Sequence, residues 1–133
     1  MGRRKAREVI VKLLYQMEIV KDNLDNLAEQ YFAENNVAPE DQALIRDQVK
    51  GIGDNIALID EKIKGHLKSW DLERLSKPDL AILRNGVYEL FFRNDISTGI
   101  VINEAVMLCK KYGTDDSYAF VNGLLGNLAK SRE

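Results

Sequence analysis

Ile45, Val49, Ile52, Ile56, Ile59 and Ile63 recur in alternating steps of four and three residues. That is the period of an α-helix, and it places all six side chains on one face. The stripe predicts a central packing helix. It also sets the reading of the chain, because nearly every other segment repeats at the same period. Ala6, Val9, Ile10, Leu13, Leu14 and Met17 predict a first helix from about Arg3 to Val20, with Asp22 and Asn23 in the turn after it. Leu24, Leu27, Ala28, Tyr31 and Phe32 predict a second, ended by Asn35-Asn36. Pro39 ahead of Glu40 and Asp41 suits the next start: proline needs no donor in a first turn, and acids favour the positive end of the dipole.

Between His66 and Lys77 lies a junction with Trp70, Leu72 and Leu75 as expected apolar anchors. Ser76-Lys77-Pro78-Asp79 restarts a helix whose Leu80, Leu83, Val87, Leu90 and Phe91 face inward. After a turn-rich loop from Asn94 to Gly99, Val101, Ile102, Ala105, Val106, Leu108 and Cys109 form an apolar segment ending at Tyr112-Gly113. Thr114, Asp115 and Asp116 open the last helix, with Val121, Leu124, Leu125 and Leu128 as its core face. The flanks of Asn85-Gly86 and Asn122-Gly123 do not alternate, so neither pair reads as a hairpin. Gly86 and Gly123 are expected at helix crossings, and Gly51 and Gly53 at a close helix approach. The fold class is all-α.

With 133 residues, 45% apolar and 30% charged, the chain is expected to be one folded domain. Charges interrupt every apolar stretch, so no segment is expected to span a bilayer. The start lacks the apolar run of a secretory signal, and Met1-Gly2 lacks Ser or Thr at position 6 for myristoylation. A lone cysteine, Cys109, forms no internal disulfide, which fits a reducing cytoplasm. Enzyme motifs are missing: Gly51-x-Gly53 follows no strand, and no phosphate-cradling loop is present. His66 and Cys109 are each the only residue of their type and lie far apart. Cys109 falls on an apolar helix face and is expected to be a buried, inert thiol. No zinc or calcium spacing appears. The expectation is a non-enzyme without cofactor or metal.

Charge points elsewhere. The first twelve residues hold Arg3, Arg4, Lys5, Arg7 and Lys12 against Glu8 alone, whereas the whole chain carries −2. The remaining 121 residues therefore carry −6. A basic helix start on an acidic body favours a localised polyanion site, although it also fits a solvated helix end. Lys110, Lys111 and Tyr112 close one helix, and Asp115, Asp116, Tyr118 and Phe120 open the next. Asp116 and Phe120 share a face with Gly123 and Asn127, rotated off the core stripe, so Phe120 is expected to be partly buried. Aromatics beside lysines suit single-stranded RNA, whose bases stack on rings while cations hold phosphates. The same aromatics also suit the closing of a core at a helix corner.

The chain resembles the NusB family of bacterial transcription antitermination factors. The resemblance rests on Arg3-Arg4-Lys5-Ala6-Arg7-Glu8 with Leu13-Leu14-Tyr15-Gln16, and on Trp70-x-x-x-Arg74-Leu75. It continues through Asp79-x-Ala81-Ile82-Leu83-Arg84, Tyr88-Glu89-Leu90 and Ile102-Asn103-Glu104-Ala105. Lys110-Lys111-Tyr112-Gly113 and Phe120-Val121-Asn122-Gly123-Leu124-Leu125 complete it. It implies about seven helices in two packed sub-bundles, residues about 1–65 and about 66–133 of one domain, 1–133. It implies binding to boxA, a short single-stranded RNA signal, together with the small-subunit ribosomal protein NusE, within an RNA polymerase antitermination complex.

By motif match, Arg3, Arg4, Lys5, Arg7, Lys111, Tyr112, Asp116 and Phe120 would contact RNA. Asp79, Ile82 and Glu89 would face the protein partner, Asp79 from a first turn where exposure costs little. Thr98-Gly99 departs from the family pattern, where a proline is expected nearby, and the N-terminal arm is short. The resemblance also implies a homodimer as a candidate state, because some family members form homodimers that bury the RNA surface. The same fold occurs fused to RNA methyltransferases; this chain has no room for that domain and is expected to be a stand-alone factor. The alternative is a helical protein-binding adaptor whose basic edge only solubilises.

Overall fold

The computed structural model describes residues 1–132. Among them the chain forms seven α-helices and no strand: α1 (Arg3–Val20), α2 (Leu24–Glu34), α3 (Pro39–Asp54), α4 (Ile56–Lys64), α5 (Lys77–Phe92), α6 (Thr98–Tyr112) and α7 (Asp115–Ala129). One 3₁₀ turn, Leu72–Arg74, lies between α4 and α5. No helix among these residues is long and apolar enough to cross a membrane.

Short polar side chains set the starts by satisfying the orphan donors of a first turn. Asn23 accepts from the backbone N–H of Asp25 at 2.8 Å and of Asn26 at 3.2 Å to open α2. Ser76 accepts from the Asp79 N–H at 3.2 Å to open α5. Thr114 and Ser117 form a reciprocal capping box on α7. At the Thr98-Gly99 departure, Ser97 caps α6 and Thr98 Oγ1 accepts from Arg132 at 2.9 Å. That start is secured without a proline.

The isoleucine stripe is carried by two helices where one was expected. Asn55 leaves helical geometry at φ −117° and ψ 14°, and its Nδ2 donates to the Gly51 carbonyl at 2.8 Å. An asparagine side chain that bonds back to the main chain competes with the helix ladder and ends α3. The bend keeps both pieces on the core: Ile45, Val49, Ile52, Ile59 and Ile63 are all buried. Only Ile56, just past the break, is half-buried.

The centre of the molecule is α5, not this stripe. Every α5 residue from Asp79 to Leu90 is buried, and the helix is packed by α1, α3, α4, α6 and α7. Apolar side chains of all seven helices join one core cluster around it. Burying Arg84, Asn85 and Glu89 in that position costs stability unless each is paired. Each is. Arg84 is bidentate to Asp60 at 2.9 and 3.0 Å and reaches Glu18 at 2.7 Å. Asn85 accepts from Gln48 at 2.9 Å, and Glu89 is held by Arg7.

The junction before α5 also differs from expectation. Leu72 and Leu75 pack against the core, but Trp70 is 60% exposed and sits at φ 57°. A left-handed backbone at a bulky residue is unfavourable, and the indole here is not among the core side chains.

The four glycines divide evenly. A Cβ on Gly51 would overlap the Tyr88 ring, and one on Gly86 would lie 3.0 Å from Leu125 Cδ1, so both mark real close approaches. Gly53 and Gly123 are corrections: a Cβ at either meets nothing within 4 Å. Gly53→Ala and Gly123→Ala should therefore each stabilise the fold by up to about 1 kcal/mol, the propensity difference in a helix. Gly51→Ala should destabilise it. Urea unfolding of the three variants checks this, and a stabilised Gly51→Ala would remove the Tyr88 contact as the reason for that glycine.

Candidate nucleic-acid interface

Helix geometry splits the basic start of α1 into three directions. Arg4, Glu8 and Lys12 follow one another at four-residue spacing and so share a flank. That flank lies beside the C-terminal half of α6: Arg4, Glu8, Glu104, Met107 and Lys111 line one shallow hollow of about 160 Å³. Arg3 faces the other way. It lines a separate hollow of about 180 Å³ with Asp41, Leu44, Gln48 and Arg93.

Arg7 points inward, which corrects its expected role as a phosphate contact. It is 7% exposed, and its Nε lies 3.0 and 3.1 Å from the two carboxylate oxygens of Glu89. Its Nη1 reaches Glu104 at 3.4 Å. Glu104 in turn accepts from Arg4 Nε at 2.9 Å and Arg4 Nη2 at 3.1 Å. Two arginines and two glutamates form a neutral cluster that begins in the core and ends at the surface, where the Arg4 side chain is 70% exposed.

The second ion pair on this edge joins the two helices. Lys111 Nζ donates to Glu8 at 2.8 Å, and Lys5 lies 3.7 Å from the same carboxylate. The Lys111 hydrogen bond holds the Glu8 pKa below its usual value, with Tyr112 and Lys12 acting in the same direction against desolvation. Two cations lie near Tyr112: Lys111 and Lys12 are 5.4 and 5.9 Å from its ring centroid. Lys110 lies 5.1 Å from the Tyr118 ring. Asp116 is exposed, and Phe120 is half-buried against the core, the intermediate position its offset face predicts. Among the described residues no hydrogen bond or ion pair ties Asp116 or Phe120 to the α1 edge.

Of the expected partner residues, Glu89 needs correction, and Asp79 is buried where exposure was expected. Glu89 is 3% exposed and engaged by Arg7, so its carboxylate lies in the core and not at the surface. Asp79 is buried at 9% exposure, and among the described residues its Oδ1 accepts no hydrogen bond. Ile82 is 1% exposed and forms the floor of a depression of about 360 Å³. The walls are Val11, Lys12 and Tyr15 of α1, Pro78 of α5 and Tyr112 of α6. This depression runs from the cationic edge to the start of α5.

Sequence reasoning placed Lys12 in the basic cluster but missed Glu8, Glu104 and Tyr15 as site residues. Glu8 pairs across 103 positions and Glu104 across 100, so no local pattern announces either. Cys109 is fully buried, and desolvation together with the nearby Asp79 charge pushes its thiol pKa up to about 12, as expected of an inert cysteine.

Residues 4–130 match the NusB family. The chain belongs to that family. The transcription antitermination protein NusB of Clostridium novyi is 46% identical over 98% of this chain and 100% of its own length. That of Clostridium acetobutylicum is 41% identical over 100% of this chain and 98% of its own. T. maritima NusB superposes with a TM-score of 0.93 at 35% identity, covering 99% of this chain and 93% of that one. A NusB solved with NusE in complex with dsRNA gives 0.85 at 29% identity, covering 97% and 96%. The seven-helix arrangement around α5 is thus the NusB fold.

Within that fold the role of Arg7 is testable. Arg7→Ala leaves Glu89 buried and unpaired, which should cost about 3–5 kcal/mol of stability. Thermal unfolding followed by circular dichroism checks this. A variant that melts like the wild type would return Arg7 to the list of surface contacts.

Proposed function

We propose that this chain is a transcription antitermination factor that binds boxA-type single-stranded RNA together with the ribosomal protein NusE. In this reading the whole domain acts as one unit in the cytoplasm and promotes read-through in ribosomal RNA transcription within an RNA polymerase complex. One observation carries it: Lys12 and Lys111 both lie near the half-buried Tyr112 ring, 5.9 and 5.4 Å from its centroid, on an edge that also exposes Arg4 and Lys5. Exposed cations hold phosphates without regard to sequence, and a ring near them offers a stacking surface to an unpaired base. Asp116 and Phe120 extend this surface along α7. The family relative solved with NusE and dsRNA supports the same two classes of partner.

The protein partner fits the depression above Ile82. Its wall is largely apolar, and Asp79 follows the wall residue Pro78 in the first turn of α5, with a buried carboxylate oxygen that has no donor among the described residues. A basic edge on the partner would meet the negative charge of Asp79 beside this depression, and charge complementarity would fix orientation. Lys12 and Tyr112 belong to both the depression and the RNA edge, so the two surfaces are continuous. An occupant of the depression fixes side chains that RNA would otherwise have to order, which favours tighter RNA binding by the pair of proteins.

The test is RNA binding by wild type and variants on boxA-like, scrambled and double-stranded RNA, with and without NusE, across a salt series. Replacing Lys12 and Lys111 by alanine should weaken binding on all RNAs and flatten the salt slope by about one per lost phosphate contact. Phe120→Ala should lose about 1–3 kcal/mol on single strands, the scale of one base–aromatic stack. Wild-type binding with no salt dependence and no preference for boxA would leave the chain as a protein-binding adaptor.

Asp79→Asn removes the charge at nearly constant shape. NusE binding measured by calorimetry should weaken, while stability and RNA binding by the isolated chain stay close to wild type. Equal NusE affinity would take Asp79 out of the interface.

A further inference from the structure

Glu104 lies on α6 with its side chain only 10% exposed, yet it touches the most exposed guanidinium of the basic edge. Two chemistries are open to such a carboxylate. It can neutralise Arg4 and so oppose polyanion binding, or it can aim Arg4 and so assist it. The geometry decides between them. Glu104 takes the Nε and Nη2 atoms of Arg4, both at hydrogen-bond distance. Arg4 Nη1 has no protein partner among the described residues, and the side chain is 70% exposed. A guanidinium is a planar fork, so fixing one edge fixes the direction of the other.

Glu104 is itself fixed. Arg7 holds it at 3.4 Å, Glu89 holds Arg7 at 3.0 Å, and Asn85 lies 3.4 Å from Glu89 and 2.9 Å from Gln48. This relay runs from α3 through the buried α5 to the surface. A long side chain anchored this way loses less conformational entropy when it meets a ligand.

We infer that Glu104 is a positioning residue for RNA binding: it clamps the inner edge of Arg4 so that the outer edge faces a phosphate. The inference rests on the RNA-binding reading above. It gives an unusual sign. Removing a negative charge from a polyanion site should weaken polyanion binding, whereas charge alone predicts the opposite.

Three variants separate the cases, each measured on boxA-like RNA over a salt series after folding is checked by circular dichroism. Glu104→Gln is expected to bind about tenfold more weakly, with the salt slope reduced by about one. Glu104→Asp keeps the charge but shortens the reach, and it is also expected to bind more weakly. It carries the test should Glu104→Gln fold poorly. In an Arg4→Ala background neither change should weaken binding further, because no guanidinium remains to be aimed; Glu104→Gln should then show only the charge effect, unchanged or tighter binding. Glu8→Gln is the charge reference. It removes the same charge from the same edge but frees Lys111, whose ammonium has no edge to orient, and binding should tighten.

Glu104→Gln behaving like Glu8→Gln, with Glu104→Asp equal to wild type, overturns the inference while leaving RNA binding intact. Full additivity with Arg4→Ala overturns it as well. Failure of the wild type to bind any RNA removes the RNA-binding reading, and this inference falls with it.

Discussion

The ion pair between Arg7 and Glu89 is the contact on which the arrangement of this molecule depends. It joins α1 to the centre of α5, and through Glu104 it reaches α6. Isolated burial of either charge would cost several kcal/mol after relaxation, so neither group belongs in a core alone. Together, with two hydrogen bonds from Arg7 Nε and a third from Nη1, they are satisfied at a position apolar side chains would also fill. What the pair adds over an apolar contact is direction. A guanidinium bonded to carboxylates on two helices admits one rotation of α1 about its axis, and that rotation decides which α1 residues face solvent.

The consequence reaches the surface. With Arg7 turned inward, Arg4, Glu8 and Lys12 must lie along α6, and Arg3 must lie toward α3. The cationic edge is therefore a composite of two helices distant in sequence, with α1 supplying Arg4, Lys5 and Lys12 and α6 supplying Lys111 and Tyr112. A second buried guanidinium does the same at the other end of α1. Arg84 of α5 binds Glu18 of α1 and Asp60 of α4, so α1 is fixed to α5 near both of its ends. The Arg84 hydrogen bond also holds the Glu18 pKa below its usual value.

Much of this was legible in the sequence, because helix period and capping residues are local. The bounds of α1, the start of α3 at Pro39 and the capped starts of α5 and α7 follow from spacing and side-chain chemistry within a few residues. The break at Asn55 was harder, since the isoleucine period runs through it. Its only local sign is the low helix propensity of Gly51, Gly53, Asp54 and Asn55 taken together. Arg7 was misread as a surface cation because net charge says nothing about face. Its spacing held the answer: Ile10, Val11 and Leu14 follow it by three, four and seven residues, and all are buried. Glu89, between the buried Tyr88 and Leu90 on α5, carried the matching sign. Which buried charge meets which partner depends on contacts 82 and 97 residues apart, beyond any local pattern.

The same distinction explains why charge counting overstates the basic edge. Five cations at the start of the chain suggest a broad positive field, but Arg7 is spent inside and Arg4 shares a carboxylate with it. Glu8 sits among Lys5, Lys12 and Lys111 as a fixed counter-anion. A field trimmed in this way acts over a short distance, because opposite charges a few ångströms apart cancel at longer range even before salt screens them. Close contact geometry, meaning the free edge of Arg4 and the ring of Tyr112 near two ammonium groups, must then supply what long-range attraction does not. A surface of that kind discriminates by how well a ligand fits its donors and its ring, and gains little from bulk negative charge alone.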